Sequence, residues 1–359
     1  MPNSSHMNSG SDQVIPLQKI GIRSAILNRC KDDLLPAVCA RIPDQFFGAI
    51  TRANPLTACY HMVSDAEVPH VKHLYPFRSV REFERDLETF RRRFRLVTLH
   101  DLLESIRCSR SLPPKSLLLT FDDGFSEMHD IVAPLLWKQG IPATFFIISG
   151  CLDNLGMAHH NEISLLLQHL ESMGERAPRN EILLRLSGRG IHGTSVRSAM
   201  LLIDYPRKQI VEEIADFLGY DLRAYLAESK PYLTSEQVRK LIDMGFAIGA
   251  HSIDHPKYSL LNLDEQLRQT VESLKFLRRR FGLSYGAFAF PHGDDKVAAE
   301  FFQQAGGSGG MDVSFGTAGI MRDGNPRHFQ RFSTENSQRA ADHVLGRYYA
   351  RSLFKKLVG

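Results

Sequence analysis

The sequence predicts an α/β fold whose core is a parallel sheet of strand–helix–strand units. Short apolar runs carry the first half of this reading. Leu117-Leu118-Leu119, the stretch 141 to 148, Phe246-Ala247-Ile248-Gly249-Ala250 and Phe288-Ala289-Phe290 have the length and composition of buried strands. Longer segments between them repeat apolar residues at helical spacing, and strand–helix–strand alternation argues for parallel βαβ units. At 359 residues the chain exceeds a usual single domain. One large domain with added segments is the expected organisation.

Residues 1 to 20 are polar and are expected to be disordered. From Ile20 to Ile50, apolar positions such as Ile26, Leu27, Leu34, Leu35, Val38 and Phe47 suggest one or two helices, so residues 1–50 read as an N-terminal extension. Leu56 to Val63 reads as the first core strand, with Tyr60 and His61 near its end. Ser79 with Glu82 forms a capping box, followed by Val80, Phe83, Leu87, Phe90 and Phe94 on one helical face. Thr98 caps the next helix, which carries Leu102, Leu103 and Ile106. Pro113-Pro114 then precedes the strand leading to Asp122. A helix after Gly124 ends near Gly140, and strand 141–148 follows. Residues 151–232 hold Leu165-Leu166-Leu167, Leu183-Leu184 and Leu201-Leu202-Ile203 among polar residues and read as mostly helical. Thr234 with Gln237 caps helix 235–244. Asn262 with Glu265 caps a longer helix striped by Leu263, Leu267, Val271, Leu274 and Leu277. Strand 286–290, the flexible turn at Gly306 to Gly310, a strand from Val313 to Ile320 and a last strand entered through Arg327 to Arg331 complete the core. Residues 338–359 form a basic C-terminal helix.

A net charge of +4 and a pI near 8.8 are mildly basic. The runs Arg91-Arg92-Arg93 and Arg278-Arg279-Arg280 fall at helix C-termini, where cations match the dipole, so they read as solvated ends rather than a nucleic-acid patch. Contact with anionic headgroups or phosphorylated carriers is the remaining use for them. The five cysteines (Cys30, Cys39, Cys59, Cys108 and Cys151) show no ligand spacing, and an odd number cannot all pair within the chain. Reduced thiols and a cytoplasmic setting are expected. No apolar run is long enough for a transmembrane helix, and the first residues lack the order of a secretory signal.

The chemistry concentrates at strand ends. Thr120-Phe121-Asp122-Asp123-Gly124 places two carboxylates where a strand stops, the edge at which α/β folds collect ligands. Neighbouring residues on a strand point in opposite directions, so the two acids are expected to occupy different environments and take different roles. Asp-Asp-Gly is also an ordinary turn triplet. His251-Ser252-Ile253-Asp254-His255 follows a second apolar strand, and its two imidazoles can reach a single ion. His159, His160 and Glu162, at a helix start, need no ion.

These residues resemble the polysaccharide deacetylases of carbohydrate esterase family 4, the chitooligosaccharide-deacetylase homology domain. Its first two motifs, Thr-Phe-Asp-Asp-Gly and His-Ser/Thr-x-x-His, stand here without a mismatch. Ile141-Pro142-Ala143-Thr144-Phe145-Phe146 is similar to the family's second strand, and Phe288-Ala289-Phe290-Pro291-His292-Gly293 to a variant third motif. The resemblance implies a distorted (β/α)7-type barrel over residues 51–337, with 151–232 as a mostly helical insertion that serves as lid, docking surface or packing. It implies a divalent metal held by Asp123, His251 and His255. Zinc suits these ligands, and cobalt, nickel or iron are accepted by the same donors. It implies Asp122 as general base, and the backbone N–H at His292 as an oxyanion donor that survives the change from the family's aromatic residue.

Two departures from the pattern stand out. The family's base-orienting arginine is replaced by Ala289, and Arg331 is the alternative, although it reads equally as a surface residue. No Leu-x-His motif supplies the general acid, for which His292, His328 and His61 are candidates. Tyr60, His61, Pro291 and Gly293 are expected to contact substrate. The implied reaction is metal-dependent removal of an N-acyl group, most simply N-acetyl, from a sugar, polysaccharide or carrier-linked glycan. With a single tryptophan, Trp137, offering no stacking platform for a long glycan, the reading leans to a small or carrier-linked substrate. The alternatives are a deformylase or deacylase of a non-sugar amide, and a glycan-binding barrel without turnover.

Overall fold

The computed structural model describes residues 35–42, 44–335 and 339–358. The expectations for residues 1–34 lie outside this range. Nine strands form one parallel sheet: β1 (Leu56–Tyr60), β2 (Arg95–Leu96), β3 (Ser116–Phe121), β4 (Thr144–Ile147), β5 (Ala247–Ala250), β6 (Ala287–Ala289), β7 (Val313–Gly316), β8 (His328–Gln330) and β9 (Phe332–Ser333). Their spatial order is β8-β7-β6-β5-β4-β3-β1-β9, with β2 added beside β3. The two ends of this order are consecutive in sequence, because β8 and β9 are separated by Arg331 alone. Peptide bonds through Arg331 therefore close the ring, and the architecture is the distorted (β/α)7 barrel expected.

Helices cover the outside where their apolar stripes predict. Val80–Arg93 and Leu99–Arg107 begin at capping boxes built by Ser79 with Glu82 and by Thr98 with Asp101, and Ser235–Asp243 begins at one built by Thr234 with Gln237. Each box satisfies two backbone donors that a helix start leaves free. Phe83, Leu87 and Phe90 then reach the barrel core beside Phe121, Phe145 and Phe332. Close strand approach depends on Gly249 in β5. A Cβ there would lie 2.4 Å from the Phe146 ring and 2.9 Å from the Ala287 carbonyl oxygen.

Three elements differ from expectation. The helix after Gly124 starts as a π-helical turn, Met128–Val132, and becomes α-helical only over Ala133–Lys138. The strand expected from Val313 to Ile320 stops at Gly316, because the Ala318 N–H bonds to the Gln330 side chain instead of a ladder. Arg93 is not a solvated helix end. Its guanidinium is largely buried, pairs with Asp44, and reaches Asp342 at 2.6 Å, joining the helices Asp44–Thr51 and Ala341–Val358.

Between β4 and β5 lie the helices His159–Ser172, Arg179–Ser187, Val196–Met200, Gln209–Leu218 and Leu222–Ser229. They share a core of their own, built from Ile163, Leu166, Leu170, Ile182, Leu186, Val211 and Ile214. Among the described residues no helix is long and apolar enough to cross a membrane.

Candidate active site

The site sits at the C-terminal ends of the strands, in a cavity of about 460 Å³. At the end of β3 the Asp122 N–H bonds the Tyr60 carbonyl at 2.9 Å, continuing the β1 ladder. The next two residues then turn left-handed, Asp123 at φ 71° and Gly124 at φ 73°. A non-glycine residue in that region is strained. Its consequence is that the two buried carboxylates face different partners.

Asp122 faces Arg331. The guanidinium, 1% exposed, places Nη1 2.6 Å from Oδ1 and Nη2 2.7 Å from Oδ2. Its remaining donors go to the Gly316 carbonyl and to Thr120. Burial pushes the Asp122 carboxyl up, but the Arg331 charge and the nearby His251 outweigh it, so its pKa is lowered and it is ionised. Arg331 therefore occupies the place that Ala289, buried in an apolar cluster, cannot serve.

Asp123 faces the histidines. The His255 Nε2 lies 3.2 Å and the His251 Nε2 3.5 Å from Asp123 Oδ1. His251 Nδ1 donates to the Ala289 carbonyl at 2.8 Å, which leaves the Nε2 lone pair turned into the site. Tyr75 donates its hydroxyl to Asp123 Oδ2 at 3.1 Å. Asp123 Oδ1 itself is buried and accepts no hydrogen bond. Burial raises the Asp123 carboxyl and lowers His255. For Asp123 the facing imidazoles prevail, keeping its pKa well below the usual carboxylate range, whereas burial prevails at His255. One carboxylate oxygen without a donor, met by two imidazole nitrogens, is a donor set that fits a divalent cation.

His61 completes the floor. Its Nδ1 is 2.7 Å from Glu335 Oε2, while Glu335 Oε1 accepts the N–H groups of His61 and Met62 at 2.8 Å each. His61 Nε2 faces the cavity, 4.0 Å from Asp122 Oδ2. Burial opposes the imidazolium, but Glu335, with the two aspartates behind it, raises the pKa to about 9.

Several expected residues stand elsewhere. Tyr60 does not contact the cavity: its side chain is fully buried, stacks on Phe121, and donates its hydroxyl to Asp86 at 3.1 Å. Its strand is buried on both faces, so alternation does not say which way the ring turns. His328 is also turned away, bonded to Ser314 at 2.8 Å and to Asp294 at 3.0 Å. Pro291 and Gly293 are buried on either side of His292 and do not line the cavity, whereas His292 does. Gly293 has φ 114° and packs against Thr317, where a Cβ would lie 2.7 Å from Oγ1.

Sequence reasoning passed over Glu335 and Tyr75, and set His160 aside as needing no ion. Glu335 carries a readable signal, an acid just past a strand end, as Asp122 is. His160 reaches the cavity with its ring 4.7 Å from that of His292, and its nitrogen lies within 4.8 Å of those of His255 and His292. Glu162, two residues further along and so on the other side of the helix, lines a separate cavity with Glu212 and Asp216.

A family model described as polysaccharide deacetylase matches residues 109–307. YheN of Bacillus subtilis (strain 168), which bears a polysaccharide deacetylase name, is 26% identical over 168 residues, 45% of this chain and 52% of its own length. The chain thus spans about half of that curated relative. Among solved structures, the Streptococcus pyogenes deacetylase PplD in complex with acetate superposes with a TM-score of 0.51 at 13% identity, covering 85% of this chain and 98% of that one. IcaB from Ammonifex degensii gives 0.51 at 18% identity, covering 82% and 96%. At these identities the likeness is one of fold.

Proposed function

Because the chain belongs to the polysaccharide deacetylase family, we propose that it hydrolyses the N-acyl group, most simply N-acetyl, of a sugar or glycan, with Asp122 as base and His61 as acid. The observation that carries this is the split environment of the two aspartates. One is ionised by a buried arginine, and the other meets two imidazoles through an oxygen that has no donor. Asp123, His251 and His255 would hold a divalent cation, zinc by preference of the donor set, with cobalt, nickel and iron compatible. Such a cation, when bound, supplies Lewis acidity to the acyl carbonyl and makes water more acidic.

The chain's own groups supply the rest. Asp122 accepts a proton from the attacking water as its oxygen bonds to the acyl carbon, and Arg331 keeps this carboxylate ionised and fixed in direction. Negative charge gathers on the carbonyl oxygen. The N–H of His292, whose backbone at φ 57° is left-handed, is the donor proposed to meet it. His61 gives its Nε2 proton to the amine as the C–N bond breaks, and Glu335 holds Nδ1 and stabilises the imidazolium until then. The products are a free amino sugar and a carboxylate.

The test measures acetate and formate release from a panel of N-acyl hexosamines and N-acyl amides by the purified protein, before and after chelation and metal return. Release from the sugars that stops on chelation and is lost in Asp122→Asn supports the proposal. Release from non-sugar amides alone would refute the sugar assignment.

A further inference from the structure

The helices between β4 and β5 are fastened at the barrel mouth from two directions. On one flank Asn161 Nδ2 donates to the His70 carbonyl at 2.8 Å, Ser164 Oγ donates to the Pro69 carbonyl at 2.6 Å, and Arg197 Nη2 donates to the His73 carbonyl at 2.9 Å. These bonds tie the segment to the loop that follows β1. On the other flank Lys208 Nζ and Tyr205 Oη donate to Asp254 at 2.6 and 2.7 Å, in the loop after β5. The tilted ring contact of His160 with His292, centroids 4.7 Å apart, adds the loop after β6. In the sheet, β3, β4 and β5 lie between β1 and β6, so the segment covers that whole arc of the rim. It has an apolar core of its own, and Asn161 and Ser164 are buried where they bond. Swinging it away would cost these bonds together, which makes it a fixed wall rather than a lid.

The inner side of the wall meets the cavity through His160, Asn161 and Leu201. The facing rim is of different make, with Thr317 from the loop after β7 and Tyr348 from the C-terminal helix. A polymer that reacts at an internal ring must approach the catalytic floor from one side and depart on the other. Here one of those sides is built shut. The cavity volume, about 460 Å³, is on the scale of a small-molecule pocket, roughly 300–1,000 Å³, and not of an extended cleft.

We propose that the ring which reacts is the last ring of its glycan or a free monosaccharide, and that any remaining glycan leaves past Thr317 and Tyr348. This rests on the deacetylase reading given above. Hexosamine chains deacylated at internal rings therefore fall outside the substrate class, and chain ends or single N-acylated sugars fall within it.

The experiment uses the full chain loaded with zinc and linear N-acetylhexosamine series of gluco, galacto and manno configuration, each from monosaccharide to pentamer. Acetate is counted and the deacetylated ring is located by fragmentation mass spectrometry. Expected is a single acetate per chain, taken from a terminal ring, with kcat/KM changing by no more than about twofold once the terminal ring is present, since added rings gain no contacts. Deacetylation of internal rings, or kcat/KM rising about tenfold with each added ring, would overturn the wall and leave the deacetylase reading standing. No release from any series would overturn the deacetylase reading, and this inference with it.

Discussion

Replacing Arg331 by methionine keeps an unbranched stem, two atoms shorter, and removes the charge, leaving the Asp122 carboxylate buried without its two short bonds. Charge centres roughly 4 Å apart at an effective dielectric of about 20 interact by about 4 kcal/mol. That agrees with the 3–5 kcal/mol generally lost when a buried pair loses one partner. His61, 4.0 Å from Asp122, remains and offsets part of it. For 359 residues the unfolding entropy near the midpoint is about 0.75 kcal/mol per kelvin, so the melting temperature should fall by about 4–6 °C, read by calorimetry. Activity should change in a way that loss of stability alone does not produce. The Asp122 pKa is lowered in the folded protein, so its ionisation contributes stability present above the unfolded carboxylate value and lost as pH falls. Without Arg331 the carboxyl titrates higher, and the acidic limb of kcat/KM should move to higher pH. Adding Asp122→Asn to Arg331→Met should recover much of the lost stability, because no unpaired charge is then buried, while the remaining activity is lost. An unshifted acidic limb in Arg331→Met, or a double variant less stable than the single one, would refute the assignment of Arg331 as the residue that holds the base.

Glu335→Gln should bring the alkaline limb of kcat/KM down from about 9 toward the ordinary histidine value of 6.5, since His61 must be protonated to act as acid. The same pair contributes stability that is complete below 6.5 and lost as pH rises through about 9, a decline that denaturation of the glutamine variant should not show. Replacing His255 or Asp123 by alanine should reduce bound zinc from one equivalent toward none by metal analysis of dialysed protein, with folding retained by circular dichroism. Retention of a full equivalent would exclude that residue as a ligand. Gly249→Ala should destabilise by about 1–3 kcal/mol in denaturant unfolding, because its Cβ falls 2.4 Å from the Phe146 ring in the packed sheet; an unchanged midpoint would show that the ring can move aside.

Local chemistry made the barrel and half of its site readable. Capping residues such as Ser79, Thr98 and Thr234 lie within three positions of the backbone groups they bond, so a short window contains the whole interaction. Asp122, Asp123, His251 and His255 are legible for a similar reason, as each follows directly on the strand that positions it. What stayed open, as Arg331 did, or unseen, as Glu335 did, depends on closure of the ring. Arg331 meets Asp122 across 209 positions and Glu335 meets His61 across 274. No property of either neighbourhood specifies the partner. Tyr60 was misdirected because β1 is buried on both faces, and a strand without polar alternation gives no parity to read. His160 belongs to a segment whose placement follows from contacts with three separate loops, none of them adjacent in sequence.

Arg331 is both the covalent link between the two edges of the sheet and the counter-charge of Asp122. A ribosome that has already delivered Asp122, Asp123, His251 and His255 has still not delivered the cation that pairs with Asp122. An incomplete polypeptide that stops between positions 255 and 331 therefore carries all four of these side chains and an Asp122 without its arginine partner. Under the proposed mechanism, competence waits for the ring to close at Arg331 and for Glu335, four positions later, to reach His61.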